Sequence, residues 1–474
     1  MAQVPLSANI SDGDLMQAGF LRIRAELDLP EVFPAPVLAE AAAAANDVVL
    51  PDLDLTHIPL VTLDPAGARD LDQAMHLERR GTGYRVWYAI ADVPSYARPG
   101  GLVDAEARRR GLTFYCPDRR VPLHPPVLSE DQASLLPDAD RPAFLWRIDL
   151  DSDAAVQDAE VVHARVRSRG QYAYDEVQAG LDDARADDVM VLLRDIGRRR
   201  QEAEAARGGV SLTLPRQVVV AGDRGYRLES EAPADIEGWN AQISLLTGMC
   251  AADIMLSAGI GVLRVMPPPR DGDIGRVRAV ARALQLPWSE GTEYPNFIRS
   301  LDPADPRTVP MMLACTTLMR GAGYAVVTDD MALTTHSAVA APYAHVTAPL
   351  RRLVDRYGLA TAAAVCAGRE VPAWVGTGLA DVPDVMRASA SRAGALERAN
   401  IDLVEAGVLA GREGEIFTAV GIDRRRDRTL IQVAEPAVTA MCRGDIPLGR
   451  EAFVRLDRAD VEARVVEFSV VAGG

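Results

Sequence analysis

Three aspartates and one glutamine lie within ten residues of one another, at Asp64, Asp70, Asp72 and Gln73. Pro65 between them suits a turn, and Asp70 and Asp72 face the same side if the backbone is extended there. Carboxylates that are held close together repel one another, so a fold that keeps them together usually also holds a cation. For this stretch alone, a solvated acidic loop that caps the next element is an equally good interpretation.

Apolar runs on both sides place this acidic stretch between strands. Residues 58–63 are predicted to form one strand, and residues 74–80 and 84–91 are predicted to form a hairpin around Gly81. Asp92 follows the hairpin directly and adds a further carboxylate at a strand end. The sequence therefore predicts that the acidic residues lie on a strand-to-strand connection.

The remaining chain changes character twice. Helical patterns dominate from Tyr174 onward, including a predicted helix over residues 350–364 that starts with an arginine pair. After Gly411, five short β segments follow one another, which is typical of a small OB-type barrel. Near the beginning, residues 12–27 and 36–46 predict two helices, the first with Ser11 or Asp12 as its N-cap.

Composition is that of a globular protein long enough for two or three domains. The chain has 474 residues, of which 48% are hydrophobic and 25% are charged. No signal-peptide pattern and no apolar run of membrane-spanning length is apparent, so we expect a cytoplasmic protein with no membrane association. Five scattered cysteines, with no Cys-x-x-Cys pair, argue against a disulfide framework and against a structural zinc site.

The net charge of −16 does not by itself favour nucleic-acid binding. All 51 basic residues are arginine, whose planar fork binds phosphate bidentately, but genomic base composition explains the absence of lysine more simply. Only the clustering of the arginines is informative, because an acidic protein can bind RNA through arginines that line one channel. The clusters lie at residues 108–110, 119–120, 198–200, 351–352 and 424–426.

Four segments together resemble the RNase II family of exoribonucleases. They are residues 62–72, 89–96, 115–130 and 343–352. The first resembles the aspartate signature of that family, and the last, Tyr-Ala-His-Val-Thr-Ala-Pro-Leu-Arg-Arg, resembles its Tyr…Thr-Ser-Pro-Ile-Arg segment. The segments follow one another in the order of the family, and the C-terminal β segments match its usual S1 domain.

The resemblance implies an α+β fold in three parts. A mixed α/β catalytic domain of the RNB type is expected over residues 57–411, and a five-stranded OB- or S1-like barrel over residues 412–474. Residues 1–56 form a short helical region, either a helix-turn-helix-like unit or a packing arm, and are too few for the tandem cold-shock barrels of the family. Because this region is short, we hypothesise that the mouth of the RNA channel is more open than in the family and admits duplexes with 3′ overhangs.

The implied function is the metal-dependent 3′→5′ hydrolysis of single-stranded RNA to nucleoside 5′-monophosphates by a two-metal mechanism. Magnesium is the expected cofactor, with manganese as the alternative, because aspartate oxygens are ligands for both. The expected partner is the 3′ end of RNA, and the protein is expected to be a monomer.

The resemblance also assigns roles to individual residues. The catalytic residues are Asp64, Asp70, Asp72 and Arg351; the metal ligands are Asp64, Asp70, Asp72 and Gln73; the substrate-binding residues are Tyr115, Asp92, Tyr343, Arg352, Gln242 and Glu397. Arg351 is expected to neutralise charge that develops on the scissile phosphate. Tyr115 is expected to stack on the 3′-terminal nucleotides.

Two of these positions depart from the family pattern. Gln73 stands where the family has a fourth aspartate, which removes one negative charge and predicts weaker metal binding with a preference for manganese. Gln242 lies in a helical segment where the family has a glutamate, so its contact with the terminal ribose is in doubt.

Two other classes of protein compete with the exoribonuclease interpretation. A catalytically weak or inactive RNA-binding regulator with the RNB fold would explain Gln73. A metal phosphodiesterase that acts on DNA would need the same aspartates, because only the 2′-hydroxyl separates the two substrates chemically. The sequence has no Gly-x-Ser-x-Gly elbow, phosphate-binding P-loop or zincin histidine spacing that would support another catalytic class.

Overall fold

The computed structural model describes most of the chain. The described residues are 13–212, 216–222, 225–231, 233–302, 305, 307–328, 330–332, 334–425, 427–433 and 435–471. The predicted helix caps Ser11 and Asp12, and Arg426 of the last arginine cluster, lie outside these residues.

Two helices open the described chain, α1 (Gly13–Glu26) and α2 (Ala35–Asn46), as the sequence predicts. They pack in different places. Phe20 of α1 is buried in the hydrophobic core that also contains the C-terminal barrel. Val37 of α2 is buried in a separate core, together with strands that flank the acidic residues.

A closed five-stranded barrel carries the acidic stretch. In chain order this region contains β1 (Leu60–Asp64), β2 (Gln73–Arg80), β3 (Gly83–Ala91), α3 (Leu102–Arg110), β4 (Phe114–Tyr115), β5 (Arg120–Val121), β6 (Asp140–Leu150) and β7 (Val156–Ala173). The barrel runs β1-β2-β3-β6-β7 and closes where β7 returns parallel to β1. Strands β4 and β5 form a small separate hairpin.

The middle of the chain is mainly helical. It contains α4 (Tyr174–Asp182), α5 (Asp188–Ala206), β8 (Arg216–Gly222), β9 (Gly225–Glu231), α6 (Asp235–Ala258), β10 (Val262–Val265), α7 (Asp271–Ala283), α8 (Tyr294–Arg299), α9 (Thr308–Cys315), β11 (Gly323–Val326), β12 (Thr335–His336), β13 (Ala341–Pro342), α10 (Asp355–Cys366), α11 (Ala373–Leu379) and α12 (Val382–Leu409). The pairs β8–β9, β10–β11 and β12–β13 are two-stranded sheets that the sequence analysis did not predict.

The predicted helix over residues 350–364 begins too early. The helix α10 starts at Asp355; before it, Arg351 lies in a turn and Arg352 forms an isolated antiparallel β-bridge with Leu112. Asp355 accounts for this difference, because one carboxylate oxygen accepts the backbone N–H of Ala348 at 2.6 Å. Both oxygens also accept hydrogen bonds from Arg352, at 2.9 and 2.8 Å. These bonds hold the preceding residues in a turn against the helix.

A second closed barrel ends the chain. Its strands are β14 (Ile416–Arg425), β15 (Arg428–Val433), β16 (Val438–Arg443), β17 (Glu451–Asp460) and β18 (Val465–Val470). They close in the order β14-β15-β16-β18-β17. The predicted five-stranded barrel of the OB or S1 type is therefore confirmed.

Helix α6 contradicts the statement that the sequence has no apolar run of membrane-spanning length. By length and composition alone it is apolar enough to cross a membrane, which the sequence analysis overlooked. Half of its most apolar stretch is buried in the protein, where Trp239, Ile243 and Leu246 pack in the main core. Core helices of globular proteins have this composition too.

Two glycines let the segment of residues 343–352, here called the arginine loop, lie close to helices. A Cβ atom at Gly248 of α6 would lie 2.3 Å from the ring of Tyr343 and 2.5 Å from the carbonyl oxygen of Ala344. A Cβ atom at Gly358 of α10 would lie 2.7 Å from Val346. The loop is therefore packed between α6 and α10 where only glycine leaves room.

We expect Gly248→Ala to lower the free energy of unfolding by about 1–3 kcal/mol, because the added methyl group meets the ring of Tyr343 and a backbone oxygen. Urea titration followed by circular dichroism measures this loss. Gly275→Ala in α7 is the matched control, since nothing lies within 4 Å of its added Cβ and alanine favours a helix. Equal effects of the two substitutions would contradict the packing argument.

Candidate active site

The acidic loop, residues 64–73, joins the last residue of β1 to the first residue of β2. Ser134 fixes its middle, because the Oγ atom accepts the backbone N–H of Leu71 at 2.9 Å and donates to the carbonyl of Arg69 at 2.6 Å. Gly67 supplies the turn with a φ of 76°, a value that other residues rarely adopt. The strands β1 and β2 thus fix both ends of the loop that carries the carboxylates.

Asp64 and Asp70 lie close enough to repel each other. Burial raises the pKa of Asp64 to about 6, and the negative charge of Asp70 adds to this rise while Arg351 opposes it. Asp70 itself accepts a hydrogen bond from Arg120 at the edge of the loop. The pair therefore carries negative charge that the protein only partly neutralises.

Asp72 connects the acidic loop to the arginine loop. Its carboxylate is 4% exposed, and one oxygen accepts the backbone N–H of Leu350 at 2.7 Å. The other oxygen lies 3.4 Å from Nε of Arg351. Burial raises the pKa of Asp72 to about 8, although Arg351 and the Leu350 hydrogen bond act in the opposite direction.

The two neighbouring arginines have different tasks. The side chain of Arg351 is 42% exposed, with Asp72 beside it, so most of its guanidinium can reach a ligand. The side chain of Arg352 is only 16% exposed and is bound bidentately by Asp355. Of the two, Arg351 is available to a phosphate, whereas Arg352 holds the loop onto α10.

Gln73 is held by hydrogen bonds at both ends of its carboxamide. Its Nε2 atom donates to the carbonyl oxygen of Thr347 in the arginine loop, and its Oε1 atom accepts from the hydroxyl of Tyr88 at 2.8 Å. The predicted metal ligand at this position thus already spans two structural elements.

Tyr115 lies at the same site, on the hairpin β4–β5. Its side chain is 52% exposed, as a stacking surface must be. Desolvation raises the pKa of Tyr115 to about 12, while the charge of Arg351 lowers it and the charge of Asp70 raises it. Tyr115 therefore lies within electrostatic range of the acidic loop and of Arg351.

Other predicted site residues point elsewhere. Asp92 binds Ser95, and one of its oxygens lies 2.6 Å from Nε2 of His163, in a separate pocket of about 330 Å³. Gln242 is buried, and its Nε2 atom donates to Glu204 at 2.6 Å. Their substrate-binding roles have no support in these contacts.

Two further predicted substrate-binding residues, Tyr343 and Glu397, make no described contact with the aspartates of the acidic loop. Tyr343 is 9% exposed, and its ring packs edge-on against His345, with ring centroids 5.4 Å apart. This contact lies within the arginine loop, so the ring of Tyr343 stabilises the conformation of the loop. Glu397 is exposed on α12, next to the buried Leu396. Its exposure agrees equally with a solvated side chain and with a substrate contact.

Two tyrosines at the site escaped the sequence analysis. Burial is the main cause of the raised pKa of Tyr88, and Asp64 and Asp72 contribute to it. Burial likewise raises the pKa of Tyr174 to about 12, with Asp64 as the next cause. Tyr174 follows directly on the residue that pairs with Asp64 in the barrel, and Asn240 donates to its hydroxyl at 3.0 Å. Only barrel closure brings this tyrosine to the site, which no local pattern reveals.

A divalent cation fits the donor set. Among the described residues, no three acidic, histidine or cysteine side chains already converge as a metal cluster. Asp64 and Asp70 nevertheless offer carboxylate oxygens whose mutual repulsion a cation would relieve, and hard divalent ions bind such oxygens. Asp64 and Asp70 are therefore the residues that would hold such an ion, in competition with the ion pair between Asp70 and Arg120.

Comparison with known families agrees with this geometry. The family model of the RNB domain matches residues 53–359, and that of the RNase II-type exonuclease C-terminal S1 domain matches residues 415–471. The RNB match alone covers more than half of the chain. The chain therefore belongs to the RNB family, and the resemblance seen in its sequence is confirmed.

Individual relatives support the same assignment. Ribonuclease R of Escherichia coli (strain K12) is 29% identical over 349 residues, which are 69% of this chain and 42% of that protein. The chain thus spans about two fifths of the length of that curated relative. Among solved structures, Mycoplasma genitalium RNase R in complex with ribose methylated single-stranded RNA has a TM-score of 0.85 at 17% identity, covering 98% of this chain and 79% of that one. Yeast Ssd1, described as a pseudonuclease, has a TM-score of 0.72 at 16% identity, covering 93% and 57%.

Buried histidines behind the site make stability depend on pH. Burial lowers the pKa of His124 to about 3 and holds the pKa of His345, in the arginine loop, well below its usual value. Below about pH 6.5 these histidines are protonated in the unfolded chain but stay neutral in the folded chain. The free energy of unfolding therefore falls as the pH falls. The expected contribution is about 1.4 kcal/mol for each pH unit and each histidine.

Urea unfolding between pH 7.5 and pH 4.5 tests this, and His124→Gln should flatten the slope. Comparing the slopes of the variant and the unmodified protein isolates the histidine from Asp64 and Asp72, whose raised pKa values act in the opposite direction. His57, which is exposed, provides the control variant His57→Gln. An unchanged slope in His124→Gln would contradict the prediction.

Proposed function

We propose that this chain is a metal-dependent 3′→5′ exoribonuclease that hydrolyses single-stranded RNA to nucleoside 5′-monophosphates. The observation that carries the proposal is the meeting of the acidic loop with Arg351 in an RNB domain. Fixed negative charge for a cation and a partly exposed arginine for a phosphate then stand side by side. This is the pairing that phosphodiester hydrolysis needs.

Asp64, Asp70 and Asp72 would hold the divalent ions, and the Asp72 oxygen that is not bound to Leu350 lies 3.4 Å from Nε of Arg351. Magnesium is the proposed ion, with manganese as the alternative. In the two-metal mechanism that we propose, ions held by these residues would supply a lowered pKa for the attacking water and charge stabilisation for the leaving oxygen.

The chain's own residues orient the RNA. Arg351 can donate two parallel hydrogen bonds to the scissile phosphate, because Asp72 lies on its Nε side and leaves the outer nitrogens accessible. Tyr115 offers an exposed ring on which a 3′-terminal base can stack. The two contacts together would place one phosphodiester bond beside the carboxylates.

A timed digest of a 5′-labelled single-stranded RNA tests the proposal, with magnesium in one series and manganese in the other. We expect progressive shortening of the labelled strand and release of nucleoside 5′-monophosphates, both abolished by a chelator. Parallel DNA oligonucleotides test the alternative substrate, and duplexes with 3′ overhangs show how near to a junction the enzyme trims. Absence of hydrolysis with either metal at any concentration would refute the catalytic proposal.

Replacing Arg351 with alanine should lower kcat by about 10²–10³-fold, the usual loss when one charged donor to a developing anion is removed. Single-turnover digestion with saturating enzyme measures this loss separately from RNA binding. Arg387→Ala on α12 is the control, because that arginine is 74% exposed and pairs with Asp384 on the same helix. Equal rates for the two variants would remove Arg351 from the mechanism.

A second candidate function is that of an RNA-binding protein with little or no activity. It is favoured by Gln73, which is neutral where the family has a fourth aspartate, and by the engagement of Asp72 with the arginine loop. Asp64→Asn and Asp72→Asn distinguish the two functions, since both should abolish turnover in an enzyme. Unchanged RNA binding together with no metal-stimulated turnover in any form would favour the binding protein.

A further inference from the structure

Consecutive residues of the acidic loop bind the arginine loop with opposite polarity. Asp72 accepts a hydrogen bond from the backbone N–H of Leu350, at 2.7 Å. Gln73 donates to the backbone carbonyl of Thr347, at 2.5 Å. The acceptor Asp72 thus binds the N–H group of Leu350, and the adjacent donor Gln73 binds the carbonyl of Thr347, three residues earlier. Both backbone groups lie just before Arg351.

The chemistry of Thr347 fixes which way the carboxamide points. A carbonyl oxygen can only accept, so the nitrogen of Gln73 must face it and Oε1 must face Tyr88. The Tyr88 hydroxyl then donates to Oε1, and the hydroxyl of Ser244 on α6 is left to donate to Tyr88 at 2.8 Å. The donor and the acceptor of each hydrogen bond in the series Ser244–Tyr88–Gln73–Thr347 are therefore determined.

The hydrogen-bond chain connects four elements of the site. Ser244 belongs to α6, Tyr88 to β3 and Gln73 to β2, and Thr347 lies in the arginine loop. Tyr88 and Thr347 are buried, so water does not compete for these bonds. Gly248 of α6 lies against Tyr343 and Ala344 of the same loop. The loop is therefore held by the packing at Gly248 as well as by the hydrogen bond from Gln73.

We propose, building on the proposed function, that Gln73 is a positioning residue that fixes Arg351 through the arginine loop, and that it does not belong to the metal donor set. One N–H of its carboxamide donates to Thr347, and its neutral carbonyl oxygen, the only atom of the group that could bind a cation, already accepts from Tyr88. The aspartate of the family would turn a negatively charged acceptor towards the Thr347 carbonyl, with no proton to share. The carboxamide is therefore required by the loop, and it is not a weakened metal ligand.

This proposal reverses the expectation for an aspartate at position 73. A lost metal ligand predicts that Gln73→Asp improves the enzyme. The positioning role predicts that Gln73→Asp loosens the arginine loop and lowers kcat.

The decisive variant is Gln73→Met, which keeps the length and neutrality of the side chain and removes both hydrogen bonds. We expect the affinity for Mn²⁺, measured by titration calorimetry, to stay within about twofold, because the donor set is intact. Hydrogen exchange of residues 343–352 should accelerate, and kcat should fall by about tenfold to hundredfold with little change in KM, since Arg351 is misplaced. A loss of Mn²⁺ affinity of tenfold or more with unchanged loop exchange would overturn the proposal.

Two further variants complete the experiment. Tyr88→Phe removes only the hydroxyl that links Gln73 to Ser244, and it should accelerate loop exchange in the same direction by a smaller amount; unchanged exchange would count against the network. Asp64→Asn should weaken Mn²⁺ binding and leave loop exchange unchanged. If Asp64→Asn does not affect Mn²⁺ binding, the proposed metal site fails, whereas the exchange data for Gln73→Met still decide the role of Gln73.

Discussion

The hydrogen bond between Asp72 and the backbone of Leu350 is the interaction on which the site depends. It joins two segments that are 278 residues apart in the chain and brings Arg351 to the acidic loop. A buried carboxylate is costly unless it is paired, and here one N–H group and one arginine provide partners. Burial nevertheless raises the pKa of Asp72, against the effects of Arg351 and of the Leu350 hydrogen bond. The contact that brings Arg351 to the acidic loop is therefore made by a carboxylate in an environment that disfavours its charge.

The arginine clusters illustrate how the same residue type serves two purposes. In the cluster at residues 108–110, Arg109 and Arg110 both bind Glu106, and Arg110 also lies over the ring of Phe33. Arg119 and Arg120 likewise bind carboxylates of this chain. These four arginines are consequently paired with carboxylates of this chain. In the function that we propose, the partly exposed guanidinium of Arg351 matters more than the number of arginines does.

Local pattern predicts part of this structure and resemblance predicts another part. Alternating apolar residues place β1, β2 and β3 beside the acidic loop, and short β segments predict the C-terminal barrel. The closure of β7 on β1 escaped prediction because parallel pairing between distant strands leaves no local signature. Gln242 could not be placed because α6 is buried on several faces, so periodicity does not tell which face meets the aspartates. The partner of Gln73 lies 274 residues away, and only the folded chain reveals it.

The aromatic and acidic halves of the site belong to different hydrophobic cores. Phe114, next to Tyr115, is buried in the core shared by α1, α12 and the C-terminal barrel, whereas Leu63, next to Asp64, packs in the core of the first barrel. Arg120 connects the two halves, because it pairs with Tyr115 across the hairpin and binds Asp70 in the acidic loop. The distance between a stacked 3′ base and the carboxylates would then depend on this one ion pair. The hairpin that carries Tyr115 is in turn packed, through Phe114, in the hydrophobic core that it shares with the C-terminal barrel.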